Sequence, residues 1–378
     1  MSRRKTLKLG FVGGGLDSAV GYAHFVASRM DNLWSLDAGV LSLEEEKNFQ
    51  AAEVYGIEKK RVYRSLSDFL SHEKDVIDAV VILTPTPLHY GMILDCLREG
   101  MPVISEKALC LTSEEASKIK AIAEENNSFL AVIYNYSGYP MVREMRRFIQ
   151  DGTLGTVQHF QVEMPQEGFL RRNKDGDKAT PQYWRTQDGE IPTLHLDLAV
   201  HLHELIYYLT RARPLEVVAD QSSHGWFNVV DNASCMTRYS NRMTGNAWFS
   251  KAALGSRNGL KLRLYGDEAS VEWIQTNPEE LLVSYSNGSR EIVDRASSVK
   301  VADAPRYTRF KAGHPAGFNE ALANLYADIH EALLDYQSKG TFESSEVFGP
   351  DLALNGLQWL EAMVKSIDSG TWEKCDRQ

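Results

Sequence analysis

Four short segments of this 378-residue chain carry side chains whose types and spacing could do chemistry. The first is residues 8–21, KLGFVGGGLDSAVG, where an apolar run meets a glycine cluster and small residues follow. That is how a strand turns sharply into a helix. Such a turn leaves backbone N–H groups at the helix N-terminus pointing outward, where they can hold a pyrophosphate. The spacing is Gly13-x-Gly15-x-x-Ser18, with Leu16 inside the turn. Gly13 allows the tight turn, and Gly15 lets phosphates approach the backbone. Ser18 stands where a third glycine usually sits and is small enough for the helix to pack close on the strand. A tight turn with no ligand has the same composition. Its place after a strand, in a chain that continues in βαβ rhythm, favours dinucleotide binding.

The second segment is TPTPLH, Thr84 to His89, at the end of the apolar run IDAVVIL. Ligands of doubly wound sheets bind at the carboxyl ends of strands, so Thr84 and Pro85 should border the cofactor. His89 opens the next helix and could touch the nicotinamide region or the substrate; a surface histidine on a proline-stiffened turn is the plain alternative. The third is SEKAL, Ser105 to Leu109. Glu106 and Lys107 directly after a buried strand are costly unless they face a cleft. Lys107 could orient a substrate hydroxyl and stabilise the alkoxide that hydride transfer requires. A surface ion pair is the other reading.

The fourth is HLDLAVHLHE, His195 to Glu204. On a helix Asp197 and His201 share one face at i, i+4, with Glu204 three further on. His203 lies about 200° round the helix from His201, so the pair cannot act as an HxH metal clamp and no metal is expected. An aspartate beside a histidine suits general acid–base work: the carboxylate orients the ring and the ring moves a proton. A helix-start aspartate and a core histidine would look the same.

The elements that must position these groups are legible in the hydrophobic pattern. Strands are expected over 7–12, 33–41, 77–83, 102–105 and 129–134. Helices are expected over 17–29, 43–55, 89–98 and 112–126, the last capped by Thr112 or Ser113. This alternation predicts a parallel sheet with helices on both faces. After residue 155 the pattern changes. A strand over 156–163 leads into a polar segment, 165–182, with Arg171, Arg172 and Lys174. A helix over 193–209 follows, then a series of short strands between 216 and 293, and helices over 317–338 and 349–367. The expected fold class is α/β: an N-terminal Rossmann doubly wound parallel sheet over 1–135, and a C-terminal α/β domain with a large open, mostly antiparallel sheet over 136–378.

Composition narrows the partners. The formal net charge is −10, which argues against nucleic acid or an anionic membrane. No apolar run approaches the ~20 residues that cross a bilayer. Arg3, Arg4 and Lys5 precede an apolar segment that glycines cut short, which reads as a strand and not a signal peptide. Cys96, Cys110, Cys235 and Cys375 form no CxxC pair and read as reduced thiols of a cytoplasmic protein.

GGGLDS, TPTPLH, SEKAL and DLAVH occur in this order, and together they resemble the glucose–fructose oxidoreductase / inositol dehydrogenase / MocA family over nearly the whole chain. The resemblance implies hydride transfer between NAD or NADP and a carbon of a sugar, polyol or cyclitol. It also implies a C-terminal sheet that makes oligomer contacts, hence a homodimer or homotetramer. The family's EKP lysine maps to Lys107 and its DxGxH pair to Asp197 and His201, so these three are the implied catalytic group. Ala108 stands in place of the proline, Ala199 in place of the glycine, and Thr86 in place of a frequent asparagine. The GGG loop and FKAGHPAGF at 310–318 resemble a sugar- or inositol-directed subgroup.

For the cofactor, Ser42 follows the second strand, Glu44 is two residues on, and no arginine is close to grip a 2′-phosphate. NAD is the expectation, and Lys47 keeps NADP open. Tyr134, Asn135, Tyr136, Trp184, Arg185, His201 and His314 are candidates for the substrate pocket, since aromatics stack on sugar rings and amides, imidazoles and guanidiniums bond hydroxyls. The expected function is oxidation or reduction of a small carbohydrate or polyol. A phosphosugar or nucleotide-sugar dehydrogenase could use Arg171 and Arg172. A non-catalytic NAD-binding sensor would need neither Lys107, Asp197 nor His201.

Overall fold

A computed structural model describes residues 5–375. Arg3 and Arg4 lie outside the described residues. By its contacts the chain falls into two compact units: Met1–Gly138 with Phe318–Leu354, and Tyr139–Gly317 with Asn355–Gln378.

The first unit opens as β1 (Leu7–Gly13), α1 (Gly21–Arg29), β2 (Trp34–Val40) and α2 (Glu45–Tyr55). It continues with α3 (Leu66–Glu73), β3 (Ala79–Leu83), α4 (His89–Arg98), β4 (Val103–Ser105), α5 (Ser113–Glu125) and β5 (Leu130–Val132). The five strands are parallel in the order β2-β1-β3-β4-β5. The order reverses between β1 and β3, the switch point where open α/β sheets bind ligands. Every residue of β3, AVVIL, is buried, as a parallel strand covered on both faces requires. Thr112 caps α5 by accepting from the Glu115 N–H. α3 was not apparent in the sequence, although Ser65 caps it by accepting from the Asp68 N–H; at 8 residues it is too short to establish a period.

The second unit begins with α6 (Pro140–Gln150) and β6 (Val157–Pro165). α6 also escaped the sequence pattern, because it buries Arg143 and Glu144 on the face a core helix would make apolar. A five-residue π-helical turn, His195–Ala199, runs into α7 (Val200–Thr210). Then come β7 (Pro214–Ser222), β8 (Asn232–Tyr239), β9 (Thr244–Ser250), β10 (Lys261–Gly266), β11 (Ala269–Ile274), β12 (Asn277–Tyr285) and β13 (Arg290–Asp294). After these, α8 (Phe318–Lys339) returns to the first unit, α9 (Pro350–Ser369) follows, and β14 (Glu373–Lys374) adds an edge strand beside β7. The nine-stranded sheet has the order β13-β12-β11-β10-β6-β9-β8-β7-β14. Its pairings are antiparallel except β6 with β9, which is parallel. Strict alternation along β8 gives this sheet one covered and one open face. Among the described residues no helix is long and apolar enough to cross a membrane.

α8 completes the core of the first unit. Leu322, Leu325, Ile329 and Leu333 pack with Leu7, Leu9, Phe11 and Ile104. The Trp34 indole donates to the Tyr326 carbonyl at 3.0 Å.

Candidate active site

In the first unit the site is a rim along the carboxyl ends of the parallel strands. Gly13 has φ +80°, a left-handed conformation that a side chain would strain, and a Cβ there would stand 2.8 Å from the Thr84 nitrogen. The glycine turn and the TPTP turn are therefore in direct contact. α1 starts at Gly21 and not at 17, so Ser18 precedes the helix. Its hydroxyl accepts from the N–H groups of Val20 and Gly21, at 3.3 and 3.1 Å. The close approach expected at Ser18 falls instead on Gly21, where a Cβ would lie 2.0 Å from the Gly14 carbonyl oxygen. A Cβ on Gly15 would meet the Leu41 carbonyl at 2.6 Å, which brings the loop against the end of β2. Leu16 is half exposed. Among the described residues the backbone N–H groups of Leu16 and Asp17 make no hydrogen bond.

At the end of β2, the Ser42 hydroxyl accepts from the Glu44 N–H at 3.1 Å. Lys47 reaches Glu44 at 2.8 Å and Asp17 of the glycine loop at 3.1 Å, and these carboxylates raise its pKa. At the end of β3, His89 is buried rather than presented to a ligand. Its ring nitrogens face the Thr84 carbonyl at 2.7 Å and the Ala108 carbonyl at 2.8 Å. Burial pushes its pKa down. His89 thus ties the TPTP turn to the turn that carries Lys107. The Lys107–Ala108 peptide is cis.

Glu106 follows β4, its N–H donating to the Ile82 carbonyl at 3.0 Å. Burial works to raise the Glu106 pKa, but the hydrogen bond from His24 and the Lys107 ammonium beside it outweigh burial and hold the carboxyl below its usual range. After β5, Tyr134, Asn135 and Tyr136 are buried. The Asn135 side-chain nitrogen is a buried donor with no partner among the described residues. A buried amide donor of this kind is satisfied by a ligand oxygen or water.

In the second unit, Asp197 and His201 are 9 % and 6 % exposed, one helical turn apart. The Asp197 carboxylate takes an ion pair from Arg185 and another from Lys251, the latter at 2.6 Å. The sequence named Arg185 and Asp197 separately and did not join them. It missed Lys251, which directly follows β9, is 4 % exposed and lies over the Phe169 ring. Trp184 lies flat under the Arg185 guanidinium at 4.4 Å. His203 points elsewhere, to the Asn355 side chain at 3.0 Å, and burial pushes its pKa down to about 4. His195 packs edge-on against Phe249, and burial pushes its pKa down to about 3. Glu204 is fully buried.

His314 is exposed on a loop whose carbonyls at Tyr307, Phe310 and His314 accept from buried Arg295. Arg171 pairs with Glu167, while Arg172 and Lys178 flank the Trp226 ring in a small hairpin. Among the described residues no cluster of three His, Cys, Asp or Glu side chains could hold a metal ion.

The first unit's rim fits a dinucleotide. Side chains are excluded at Gly13 and Gly15 by close backbone, and the N–H groups of Leu16 and Asp17 are available to phosphate oxygens. Comparison with known proteins agrees. The family model described as "Oxidoreductase family, NAD-binding Rossmann fold" matches residues 7–134, and the "GFO/IDH/MocA C-terminal domain" matches 142–272. The chain is 28% identical to the uncharacterized oxidoreductase YfiI of Bacillus subtilis, over 97% of this chain and 96% of that protein. It is 25% identical to the levoglucosan dehydrogenase of Pseudarthrobacter phenanthrenivorans, over 75% of this chain and 77% of that enzyme. The crystal structure of an inositol dehydrogenase homolog from Azotobacter vinelandii, complexed with NADH and myo-inositol, superposes with a TM-score of 0.87, 26% identity and 98% coverage of both chains.

Proposed function

The chain belongs to the GFO/IDH/MocA oxidoreductase family, and from that premise we propose that it moves a hydride between NAD and a hydroxyl-bearing carbon of a neutral sugar, glycoside or inositol. Bound NAD supplies the hydride acceptor for alcohol oxidation. The N–H groups of Leu16 and Asp17, with Gly13, Gly15, Ser18, Ser42, Thr84 and Pro85 around them, hold the dinucleotide. Lys107 donates to the substrate oxygen and stabilises the negative charge that grows on it. His201 takes the hydroxyl proton as general base. Asp197, one helical turn before it, orients the imidazole. Tyr134, Asn135, Trp184, Arg185 and His314 are the proposed substrate contacts, and Asn135 is the best supported because its side-chain nitrogen has no partner among the described residues.

The observation that carries this reading is the ion cluster at Asp197. Buried charges cost several kcal/mol of desolvation each, of order, and a carboxylate held by two cations beside a histidine is expected where chemistry needs it. A π-helical turn at the same residues points the same way. A nucleotide-binding sensor has no use for such an arrangement. A neutral substrate is favoured over a phosphorylated one because Arg185 bonds Asp197, Arg171 pairs with Glu167, and Arg172 donates to the Gly176 carbonyl. The open face of the nine-stranded sheet, with a cavity of about 610 Å³ lined by Gln161, Met236 and Trp248 among others, supports self-association as a dimer or tetramer, which light scattering of the purified protein checks.

The test is a panel of myo-inositol, levoglucosan, glucose, glucose 6-phosphate and a nucleotide sugar, each with NAD and NADP, read by absorbance of the reduced cofactor. Turnover of a neutral polyol with NAD is expected. Lys107→Ala and His201→Ala should each bind NADH and lose about 10²- to 10⁴-fold in kcat. Turnover confined to the phosphorylated members overturns the substrate class, and full activity in both variants overturns the site.

A further inference from the structure

The roles above leave unused a buried line of hydrogen bonds that reaches the Lys107 turn from behind. The Tyr326 hydroxyl lies 2.8 Å from His24 Nδ1, and His24 Nε2 lies 3.0 Å from Glu106 Oε1. Glu106 Oε2 accepts from the Lys107 backbone N–H at 3.2 Å. His24 and Tyr326 are each 1 % exposed. Their rings meet edge to face. Three elements converge here: α1, α8 and the turn after β4.

We propose that His24 is a positioning residue for Lys107: backed by Tyr326, it holds the Glu106 carboxylate against the backbone of the Lys107 turn. The proposal rests on the reading of Lys107 as the group that bonds the substrate oxygen. One assignment of protons satisfies the whole line. Tyr326 donates to Nδ1, Nε2–H donates to Glu106, and a neutral ring leaves no polar atom over. His24 also sits in the first turn of α1, its N–H bonded to the Val20 carbonyl at 3.0 Å, directly after the glycine loop. The same residue therefore ties the helix that begins at the phosphate-binding turn to the turn that carries the ammonium. Displacements of about 1 Å at a catalytic group cost of the order of 10²-fold in rate, so a second anchor on Lys107 has a measurable consequence.

The titratable groups facing Glu106 are His24 from α1, Tyr326 from α8, His89 from α4 and Lys107 on its own turn. Without His24 the burial of Glu106 persists, and the hydrogen bond that favours its charged form is gone. Its proton is then held to higher pH, and an acid limb of activity moves up. A side chain that only fills space would not move that limb.

His24→Leu removes both bonds, and His24→Gln keeps a donor for Glu106. Three quantities decide: NADH affinity by fluorescence, the pH profile of kcat on the best neutral polyol, and acylation of Lys107 by acetic anhydride in the NADH-bound protein, read by mass spectrometry. For His24→Leu we expect NADH affinity to hold, kcat to fall about 10- to 100-fold, and its acid limb to rise in pH. Lys107 should acylate faster, and His24→Gln should recover most of the loss. Unchanged kcat and acylation in His24→Leu overturn the proposal, and so do equal losses in both variants with an unmoved pH profile. If His24→Leu does not fold, Glu106→Gln takes its place: it should lose turnover and expose Lys107, and full activity overturns the idea. The Lys107 reading fails separately, through an active Lys107→Ala.

Discussion

The strand-end rim of the first unit and the Asp197 helix of the second place their functional groups by opposite means. At the rim, backbone meets backbone: Gly21 against the Gly14 carbonyl, Gly15 against the Leu41 carbonyl, Gly13 against Thr84. The shape of the glycine turn is set by where side chains are missing. At Asp197 the main chain is an ordinary helix start apart from its π-turn, and the carboxylate is set by Arg185 from one loop and Lys251 from the end of β9. The first arrangement should tolerate polar changes and reject a single methyl. The second should tolerate methyls and reject the loss of a charge.

The largest expected effect is at Gly21. Its added Cβ would sit 2.0 Å from a carbonyl oxygen that cannot swing aside, so Gly21→Ala should cost about 3 kcal/mol or more and abolish NADH binding, checked by denaturant unfolding and fluorescence quenching. Wild-type unfolding and binding would erase the contrast drawn above. Lys251→Met comes next. Asp197 keeps Arg185 but loses its buried partner, and a loss of about 3 kcal/mol is expected together with loss of turnover, while NADH affinity holds.

Acid sharpens the contrast further. His195 and His203, both in the second unit, have pKa values pushed down to about 3 and about 4. The unfolded chain protonates each near its ordinary value of about 6.5, and the native protein does so only at the lower values. Stability is thus whole above about pH 6.5 and falls on acidification by up to about 1.4 kcal/mol per pH unit for each histidine, until the native pKa is reached. Tm measured across this range should show that decline, and His203→Gln should flatten it; an unflattened slope assigns the decline elsewhere. The smallest effect is a control. Gly91 lies within α4 with nothing within 4 Å of an added Cβ, so Gly91→Ala should raise stability by about 0.5 to 1 kcal/mol.

What was legible in the sequence follows the same divide. The glycine loop, β3 with its proline stop, Thr112 at the head of α5 and Gly56 beyond α2 are local signals, and each fixes its element within a few residues. Helix α1 begins four residues later than its small-residue run suggests, since Ser18 lies ahead of it and its hydroxyl accepts from the Val20 and Gly21 N–H groups. Lys251 and the partnership of His24 with Glu106 were invisible, since each joins segments far apart in the chain and no spacing rule connects them. His89 carries two readings in the sequence, a ligand contact and a surface histidine, and neither anticipates its buried ring. A histidine at a helix start near a strand end looks presented to a ligand, and only the fold reveals the two carbonyls that absorb it.

The return of α8 to the first unit sets an order on synthesis. The chain emerges from the ribosome with all five parallel strands made by residue 132, yet the side chains that seal their core, Leu322 through Leu333, are translated after eight of the nine strands of the large sheet. Until then Trp34 has no carbonyl to bond and His24 no hydroxyl behind it. The nucleotide-binding half is thus begun first and sealed late.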